Sequence, residues 1–444
     1  MKKIAILMLI LAQVLVVIGF WAWDHINHPL GNMLTGPVVG QYLAYGRLAG
    51  LMVALVILLQ LLMIGRVAWI EQIFGLDQLS RIHHVTGFSL IIFLLAHPLL
   101  VTLGHAMQAE VGLVAQFLDF IKTWDDILPA LIGVVILLVA VTGSLAIVRR
   151  RVSFEAWHGL HFLLYLAIAL IIGHQLVLGH DLTGNPLFLI YWCGLYLFVL
   201  GNLLVYRIGR PLWKYRVHRF RVARLVPESA DVTSVYIEGR AMNRFRMEGG
   251  QFVLVRFLAR GFRWQAHPFS LSMPPNGETV RLTIKQLGDY TRQIPQLKPG
   301  TPVIIDGPHG IFTARRTTSA KVLLIAGGIG ITPIRAMAGR LLEAGRDVLL
   351  LYANRNAAGV VFRNEIEELT AAFPARFKVV YVMSDEPSWP GEKGFLDAER
   401  MTRLVPDLKE RDAYLCGPPP MMKKVRIILR QQGAKRIFYE RFSL

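Results

Sequence analysis

Cysteine is almost missing: Cys193 and Cys416 are the only two in 444 residues. Two thiols cannot supply a four-thiolate iron–sulfur cluster or a structural zinc site dominated by thiolates. One lies in an apolar run and the other in a region that reads as soluble, so no disulfide is expected between them. Acids are also scarce, 30 against 48 lysines and arginines, which leaves a formal net charge of +18. That excess does not make a nucleic-acid binder. Much of it borders apolar runs, the rest is scattered without an RNA- or DNA-binding motif, and contact with anionic membrane lipid is the reading that follows. Internal repeats and low-complexity tracts are absent as well.

What is present is apolar length. Hydrophobic residues make up 54% of the chain, too many for an ordinary soluble protein, and they are concentrated in the first half. Residues 4–23, 42–64, 83–104, 127–148, 157–179 and 187–206 each reach the roughly 20 residues that cross a bilayer. The first of these six spans starts with Lys2 and Lys3 like a signal peptide, but its apolar run is too long and no small-residue cleavage site follows, so it is expected to stay. Lys2, Lys3, Arg66, Arg81, Arg149 to Arg151, Arg207, Arg210, Lys214 and Arg216 fall on one side of the spans, while the opposite loops hold Lys122 alone among lysines and arginines. By the positive-inside rule both termini are cytoplasmic, in a multi-pass protein of the cytoplasmic (inner) membrane.

Histidine sits where polar groups are expensive. The third span carries His83, His84 and His97, and the fifth carries His158, His161 and His174. His83 to His97 is 14 residues, a rise of about 21 Å with both on nearly one face. His161 to His174 is 13, a rise of about 19.5 Å. Near and far pairs therefore match in depth, the arrangement for two stacked haems with one axial imidazole from each helix. Thirteen residues leave the second pair about 140° apart on an ideal helix, so the fifth span must bend or the haems must rotate. His161 is preferred to His158 on depth, and His83 to His84 on facing. His25, His28, His105, His180 and His218 read as solvated. Arg47, near the outer end of the second span, needs an anion: a haem propionate or a lipid headgroup phosphate.

From residue 207 the composition turns to that of a soluble protein. Strand-like runs at 251–257, 279–285 and 301–306 predict a small antiparallel barrel over 207–316. Within it lies His267-Pro268-Phe269-Ser270, where the aromatic ring can stack on a flat cofactor and the hydroxyl can meet a ring nitrogen. The stretch Gly288-Asp289-Tyr290-Thr291 opens a helix, where free amides and the Thr291 hydroxyl can hold a pyrophosphate with Lys285 or Arg292 beside it. Residues 317–444 alternate strands and helices as a doubly wound sheet requires. Gly327, Gly328 and Gly330 form a strand-to-helix turn that lets a diphosphate approach, with Thr332 as a further donor and Pro333 after it. The next strand ends in Arg355 rather than an acid, which favours NADPH over NADH. Cys416, Gly417 and Pro418 end a strand at the ligand-binding edge of the sheet, and Phe442 near the C-terminus can cover a flavin face.

Taken together, the paired histidines, HPFS, GPHG, GGIGITP, CGPPPMM and the aromatic C-terminus resemble the ferric reductase and NADPH oxidase superfamily over nearly the whole chain. The resemblance implies a membrane α-helical bundle over 1–206, an antiparallel β-barrel FAD domain over 207–316 and an α/β Rossmann-like nucleotide domain over 317–444. It implies one FAD, NADPH or NADH, and two b-type haems held by His83 with His161 and by His97 with His174. Electrons would pass from cytoplasmic NAD(P)H to an outer acceptor, either oxygen, giving superoxide, or a ferric chelate; a partner protein or quinone is the alternative. Arg47 matches an arginine beside the outer haem where the oxidases reduce oxygen. Val101 stands where animal NADPH oxidases carry a further histidine, a departure that bears on superoxide production and not on transmembrane electron transfer. The calcium-binding extension of some relatives is absent, which implies a constitutively competent module.

Overall fold

The computed structural model describes residues 2–27, 33–144 and 154–440. The Arg149 to Arg151 run, His28 and Phe442 fall outside the described residues. The chain divides into two compact units: Met1–Val67 with Gln78–Leu204, and Ala68–Asp77 with Val205–Leu444. Residues 68–77, which lie in sequence between the second and third spans, thus belong to the second unit.

The first unit is helical because an uncharged apolar chain in lipid can satisfy its backbone only within itself. Its helices are α1 (Lys2–Ile26), α2 (Val38–Ile64), α4 (Leu76–Gln108), α5 (Leu113–Thr123), α6 (Ile127–Gly143), α7 (Phe154–Phe162), α8 (Leu164–Leu178), the single turn α9 (His180–Thr183) and α10 (Pro186–Leu203). Five helical stretches are long and apolar enough to cross a membrane, and α5 with α6 forms a further pair bent by 114°. This is a membrane protein. Helix α2 is central: its Val53, Ile57, Leu58 and Leu61 pack with Leu90 and Leu94 of α4 and Ile168 and Ile171 of α8. Its Ala44, Leu51 and Ala54 meet Trp21 of α1 and Trp192 of α10.

Two loop histidines expected to be solvated are buried instead. His25 ends α1 with its ring against Trp21 and Nδ1 2.9 Å from the Trp21 carbonyl oxygen. His218 ends α11 (Arg210–His218), in the second unit, stacked on Phe220 with Nδ1 2.9 Å from the Arg240 carbonyl oxygen. In both cases a neighbouring aromatic covers the ring while a carbonyl satisfies one nitrogen, a combination that spacing does not display.

The second unit begins with α3 (Ala68–Phe74) and resumes at residue 205. Strands β1 (Arg221–Ser229), β2 (Val232–Glu238), β3 (Phe252–Phe257), β4 (His267–Ser270), β5 (Thr279–Lys285) and β6 (Val303–His309) form two antiparallel sheets, ordered β1-β2-β5 and β4-β3-β6. Alternating Val235, Ile237, Val253, Val255, Leu282, Ile284 and Ile305 turn inward to make one core, as period-two patterning demands. A six-stranded sheet follows, ordered β10-β9-β8-β7-β11-β12 and parallel throughout. It comprises β7 (Lys321–Gly327), β8 (Asp347–Asn354), β9 (Phe377–Met383), β10 (Glu392–Lys393), β11 (Arg411–Cys416) and β12 (Arg436–Tyr439). Helices α13 (Ile331–Glu343), α14 (Arg363–Ala372), α15 (Ala398–Leu404) and α16 (Pro419–Gln431) accompany it, and α12 (Asp289–Arg292) is a single turn in the barrel.

Barrel and nucleotide domain are joined by an ion cluster built around buried Arg281. Arg281 of β5 holds Glu365 of α14 through two nitrogens, one of them at 3.0 Å, and stacks its guanidinium 4.4 Å from the Phe362 ring. Arg335 of α13 reaches the same carboxylate at 3.0 Å. Planar guanidinium and carboxylate match here as a fork, so lysine would not substitute. Removing Arg281 leaves Glu365 facing Arg335 alone and takes the guanidinium donors away from the Ser272 hydroxyl and carbonyl. We expect Arg281→Ala to lose about 3 kcal/mol of stability, seen as a lower melting temperature of the FAD-loaded protein and weaker coupling between the two domains.

Candidate functional site

Four imidazoles meet in two pairs inside the helical unit. The His83 and His161 rings lie 6.3 Å apart between centroids at 68°, and His97 and His174 lie 6.2 Å apart at 73°. Two imidazoles binding one metal ion in line, each nitrogen about 2 Å from it, have centroids about 6 Å apart, so both gaps suit a shared iron. The buried Nδ1 atoms of His83 and His174 have no hydrogen-bond partner among the described residues, which is costly unless another group takes up the ring.

The local architecture explains how the fifth span presents both of its histidines. Helix α7 stops at Phe162, Leu163 intervenes, and α8 resumes at Leu164. The Leu163 amide is shared between the carbonyls of Gly159 and Leu160, at 3.3 and 3.1 Å, so the turn between His161 and His174 is tightened toward 3₁₀. Each such residue adds about 20° of rotation, in the direction that closes the 140° gap of an ideal helix. His84 and His158 are exposed, and His84 lies edge-on to Phe88.

His97 is held more closely than spacing alone suggested. Its Nδ1 lies 2.8 Å from the Gly46 carbonyl oxygen, so Nδ1 carries the proton and donates it, and Nε2 is the nitrogen left for a ligand. A Cβ on Gly50 would come within 2.8 Å of the His97 ring. Gly46 and Gly50, four apart in an apolar helix, are the close-approach signature of membrane helices. That signal was present in the sequence, and their role here emerges only with the fold.

In the barrel the HPFS tetrapeptide is the whole of β4, pairing Phe269 with Val253 and Ser270 with Phe252. Ser270 is buried, and the His267 ring lies 3.9 Å from that of Tyr290. The Thr291 hydroxyl, expected to face a pyrophosphate, accepts from the amides of Leu287 and Gly288 at 2.9 and 3.0 Å. A one-turn helix has no other acceptor for those donors, so its threonine closes the turn first. Lys285 pairs with Asp231 at 3.2 Å, and Arg292 lies 3.6 Å from Asp289.

In the parallel sheet, Ala326 of β7 pairs with Cys416 of β11, so both loops leave the carboxyl edge side by side, where α/β sheets bind ligands. A Cβ on Gly330 would lie 2.4 Å from the Cys416 carbonyl oxygen, and one on Gly327 would lie 2.6 Å from Met421 Sδ. On Gly328, at φ +50, it would meet no described atom within 4 Å. Two glycines thus permit loop-to-loop contact and the third leaves open space at the start of α13. Thr332 is buried and donates to the Ile329 carbonyl at 3.1 Å, and Pro333 is buried behind it. Burial pushes the Cys416 thiol well up, so it stays protonated. Pro418 and Arg355 are exposed, Arg355 immediately after β8.

Three family models match the chain in this order: a "Ferric reductase like transmembrane component" over residues 49–172, an "FAD-binding domain" over 217–312, and an "Oxidoreductase NAD-binding domain" over 324–426. The chain has the ferric reductase/NADPH oxidase-like fusion architecture. A ferric-reductase-like membrane domain is thus joined to an FAD- and NAD-binding reductase module.

Among curated relatives, it is 27% identical to the glycine betaine monooxygenase reductase subunit of Chromohalobacter salexigens, over 52% of this chain and 65% of that one. It is 28% identical to an NADPH oxidoreductase of Mycobacterium tuberculosis over 53% and 63%, and 33% identical to a flavohemoprotein of Chromobacterium violaceum over 50% and 60%. In each case the match spans less than two thirds of the relative. Similar solved structures include the cytochrome b5 reductase domain of Ulva prolifera nitrate reductase, at 22% identity and TM-score 0.46, covering 51% of this chain and 98% of that one.

Within the helical unit, just outside the matched ferric-reductase-like segment, Arg47 finds its anion in the protein itself. Its Nη1 lies 3.0 Å from the carboxylate of buried Asp181 in α9. This supplies a partner where the sequence suggested a propionate or headgroup, because α9 folds back beside the N-terminal end of α2. Sequence reading also missed Glu71 and Glu440, two buried acids that bracket Gly310. The GPHG turn was noted, but nothing in the spacing linked it to residues 239 positions earlier and 130 later.

Proposed function

We propose that this protein carries electrons from cytoplasmic NAD(P)H through FAD and two b-type haems to an acceptor on the outer face, oxygen or a ferric chelate. The observation that supports it most is the meeting of His83 with His161 and of His97 with His174, two helical depths apart, in a chain that also holds FAD- and NAD-binding domains. When bound, FAD would convert a hydride into single electrons and haem would pass them on.

The protein's own part is placement. Gly46 fixes the His97 tautomer, the break at Leu163 turns His161 and His174 to their partners, and Trp157 stacks 5.0 Å from the His161 ring. Phe269 and Ser270 would hold the flavin along β4, with His267 and Pro268 shaping that strand. Amides from Gly328 onward would hold the NAD(P)H diphosphate at the start of α13, beside Gly417 and Pro418. Arg47, already held by Asp181, keeps donors for an acceptor or propionate.

The deciding experiment adds NADPH to purified, FAD-loaded protein and follows the haem absorption bands. Superoxide-dismutase-sensitive dye reduction and ferrous-chelate formation are then compared in the same preparation. A protein that never binds haem would overturn the reading.

Arg355 bears on the choice of nucleotide. An exposed guanidinium after β8 suits a 2′-phosphate, and a charge-assisted contact contributes roughly 1.5–3 kcal/mol. Arg355→Ala should therefore raise KM for NADPH about ten- to a hundredfold while KM for NADH changes little, measured as flavin bleaching in stopped flow.

A further inference from the structure

Glu71 and Glu440 are buried carboxyls that the electron path does not use, and both touch one glycine. Glu71, on α3, accepts a hydrogen bond from the Gly310 amide at 2.6 Å. On the other side, a Cβ built on Gly310 would fall 2.8 and 3.0 Å from the two carboxylate oxygens of Glu440 and 3.1 Å from Phe252. Both acids are 3% exposed, and neither oxygen of Glu440 has a hydrogen-bond partner among the described residues. Gly310 has φ +93, a conformation that suits glycine, and only a residue without a side chain leaves room for the second carboxyl.

The position of this glycine matters because of the sheet behind it. Gly310 follows β6, whose His309 pairs with Phe252 of β3, and Phe252 pairs in turn with Ser270 of β4. Holding Gly310 therefore steadies the row that ends at Ser270. The holding residue comes from the short segment that the chain sends out between its second and third spans.

We propose that Glu71 is a positioning residue for the flavin strand, and that Glu71 and Glu440 form a two-carboxyl latch on Gly310 that keeps one proton to stay closed. Two ionised carboxylates bracketing one buried residue would repel, whereas one protonated and one ionised acid would not. The other groups facing the latch are Asp77 at the start of α4, Asp306 and His309 of β6, and Cys416. Lys214 of α11 is bonded to the Gly307 carbonyl.

Burial, then Asp77 and Glu71, push the Glu440 carboxyl up. Burial pushes Glu71 up too, against the opposing pull of the Gly310 amide and His309. Released into water, both acids would return to the ordinary carboxyl range. Closure is thus fully favoured below that range and weakens as pH rises through the elevated values. The inference uses FAD along β4 but neither haem nor the outer acceptor.

The test is hydrogen–deuterium exchange on the full-length, FAD-loaded protein from about pH 6 to about pH 9, corrected for the intrinsic pH dependence of exchange. Peptides covering 68–77 and Gly310 are expected to lose protection as pH rises. Glu71→Ala should speed exchange at Gly310 roughly ten- to a hundredfold at every pH and quicken FAD release. Glu71→Gln, whose amide oxygen still accepts, should restore protection and flatten the pH profile. Glu440→Gln should leave the latch closed to higher pH. A flat wild-type profile, an unchanged profile in Glu440→Gln, or Glu71→Gln behaving like Glu71→Ala would overturn the latch. Exchange in Glu71→Ala that rises equally throughout the barrel would reduce Glu71 to general stability and overturn its positioning role. Because haem is not needed, haem-free protein with a pH-dependent latch would sink the proposed electron path and leave this inference standing.

Discussion

In His97→Ala protein, haem content falls from two to one per chain, outer-acceptor reduction drops to background, and NADPH still bleaches the flavin at the wild-type rate. The expectation follows from how His97 is held. Its Nδ1 is committed to the Gly46 carbonyl and its ring faces His174 at 6.2 Å, so no other described histidine stands ready to replace it. Alanine would leave His174 to hold the proposed haem alone, too weakly to retain it. The flavin and nucleotide residues belong to the other unit of the chain, so the early steps have no reason to change. His84→Ala is the matched control: that ring is exposed beside Phe88, and two haems should remain. Haem is counted by pyridine haemochrome and the flavin step by stopped flow. Loss of flavin reduction in His97→Ala would contradict a modular path.

Gly330→Ala should impair NAD(P)H use strongly while sparing both FAD and haem. The added methyl would lie 2.4 Å from the Cys416 carbonyl oxygen and 2.7 Å from the Gly417 amide nitrogen. Those atoms are backbone at the end of a buried parallel strand, so neither can swing aside as a flexible side chain would. Overpacking of this kind costs about 1–3 kcal/mol, and it is relieved by parting the two loops that form the nucleotide crevice. Flavin bleaching should therefore slow by at least about tenfold at fixed NADPH. FAD retention and the haem bands report whether the rest of the protein is intact. Gly328→Ala, with no described atom within 4 Å of the new methyl, tests a different thing. Its cost is the left-handed backbone at φ +50 rather than a clash, about 1 kcal/mol, and the methyl itself should interfere only when the diphosphate arrives.

How much of this was legible beforehand depended on the range of the interaction. Membrane spans, the antiparallel barrel and the parallel sheet follow from local hydrophobic patterning, which sequence displays directly. The strand HPFS and the glycine turn follow from short motifs whose chemistry is carried by neighbours in the chain. The histidine pairs were legible for a related reason: depth in a membrane is counted along one helix at a fixed rise. Facing was harder, because the tightened turn at Leu163 alters rotation without altering spacing. Thr291 shows the same limit: a threonine at a helix start can serve a ligand, its own turn or both, and only the hydrogen bonds reveal that it closes the turn.

By itself, the sequence determined the division into an apolar helical half and a soluble reductase half, the two depths at which imidazoles stand, and the glycines at the nucleotide edge. Each of these is a periodicity or a short spacing. Only the tertiary structure decided that Asp181 answers Arg47, that Gly46 orients His97, that Arg281 meets Glu365, and that Glu71 and Glu440 close on Gly310. Such contacts join residues that are distant in the chain, where side-chain packing and the burial of charge choose the partners and no local pattern records the choice.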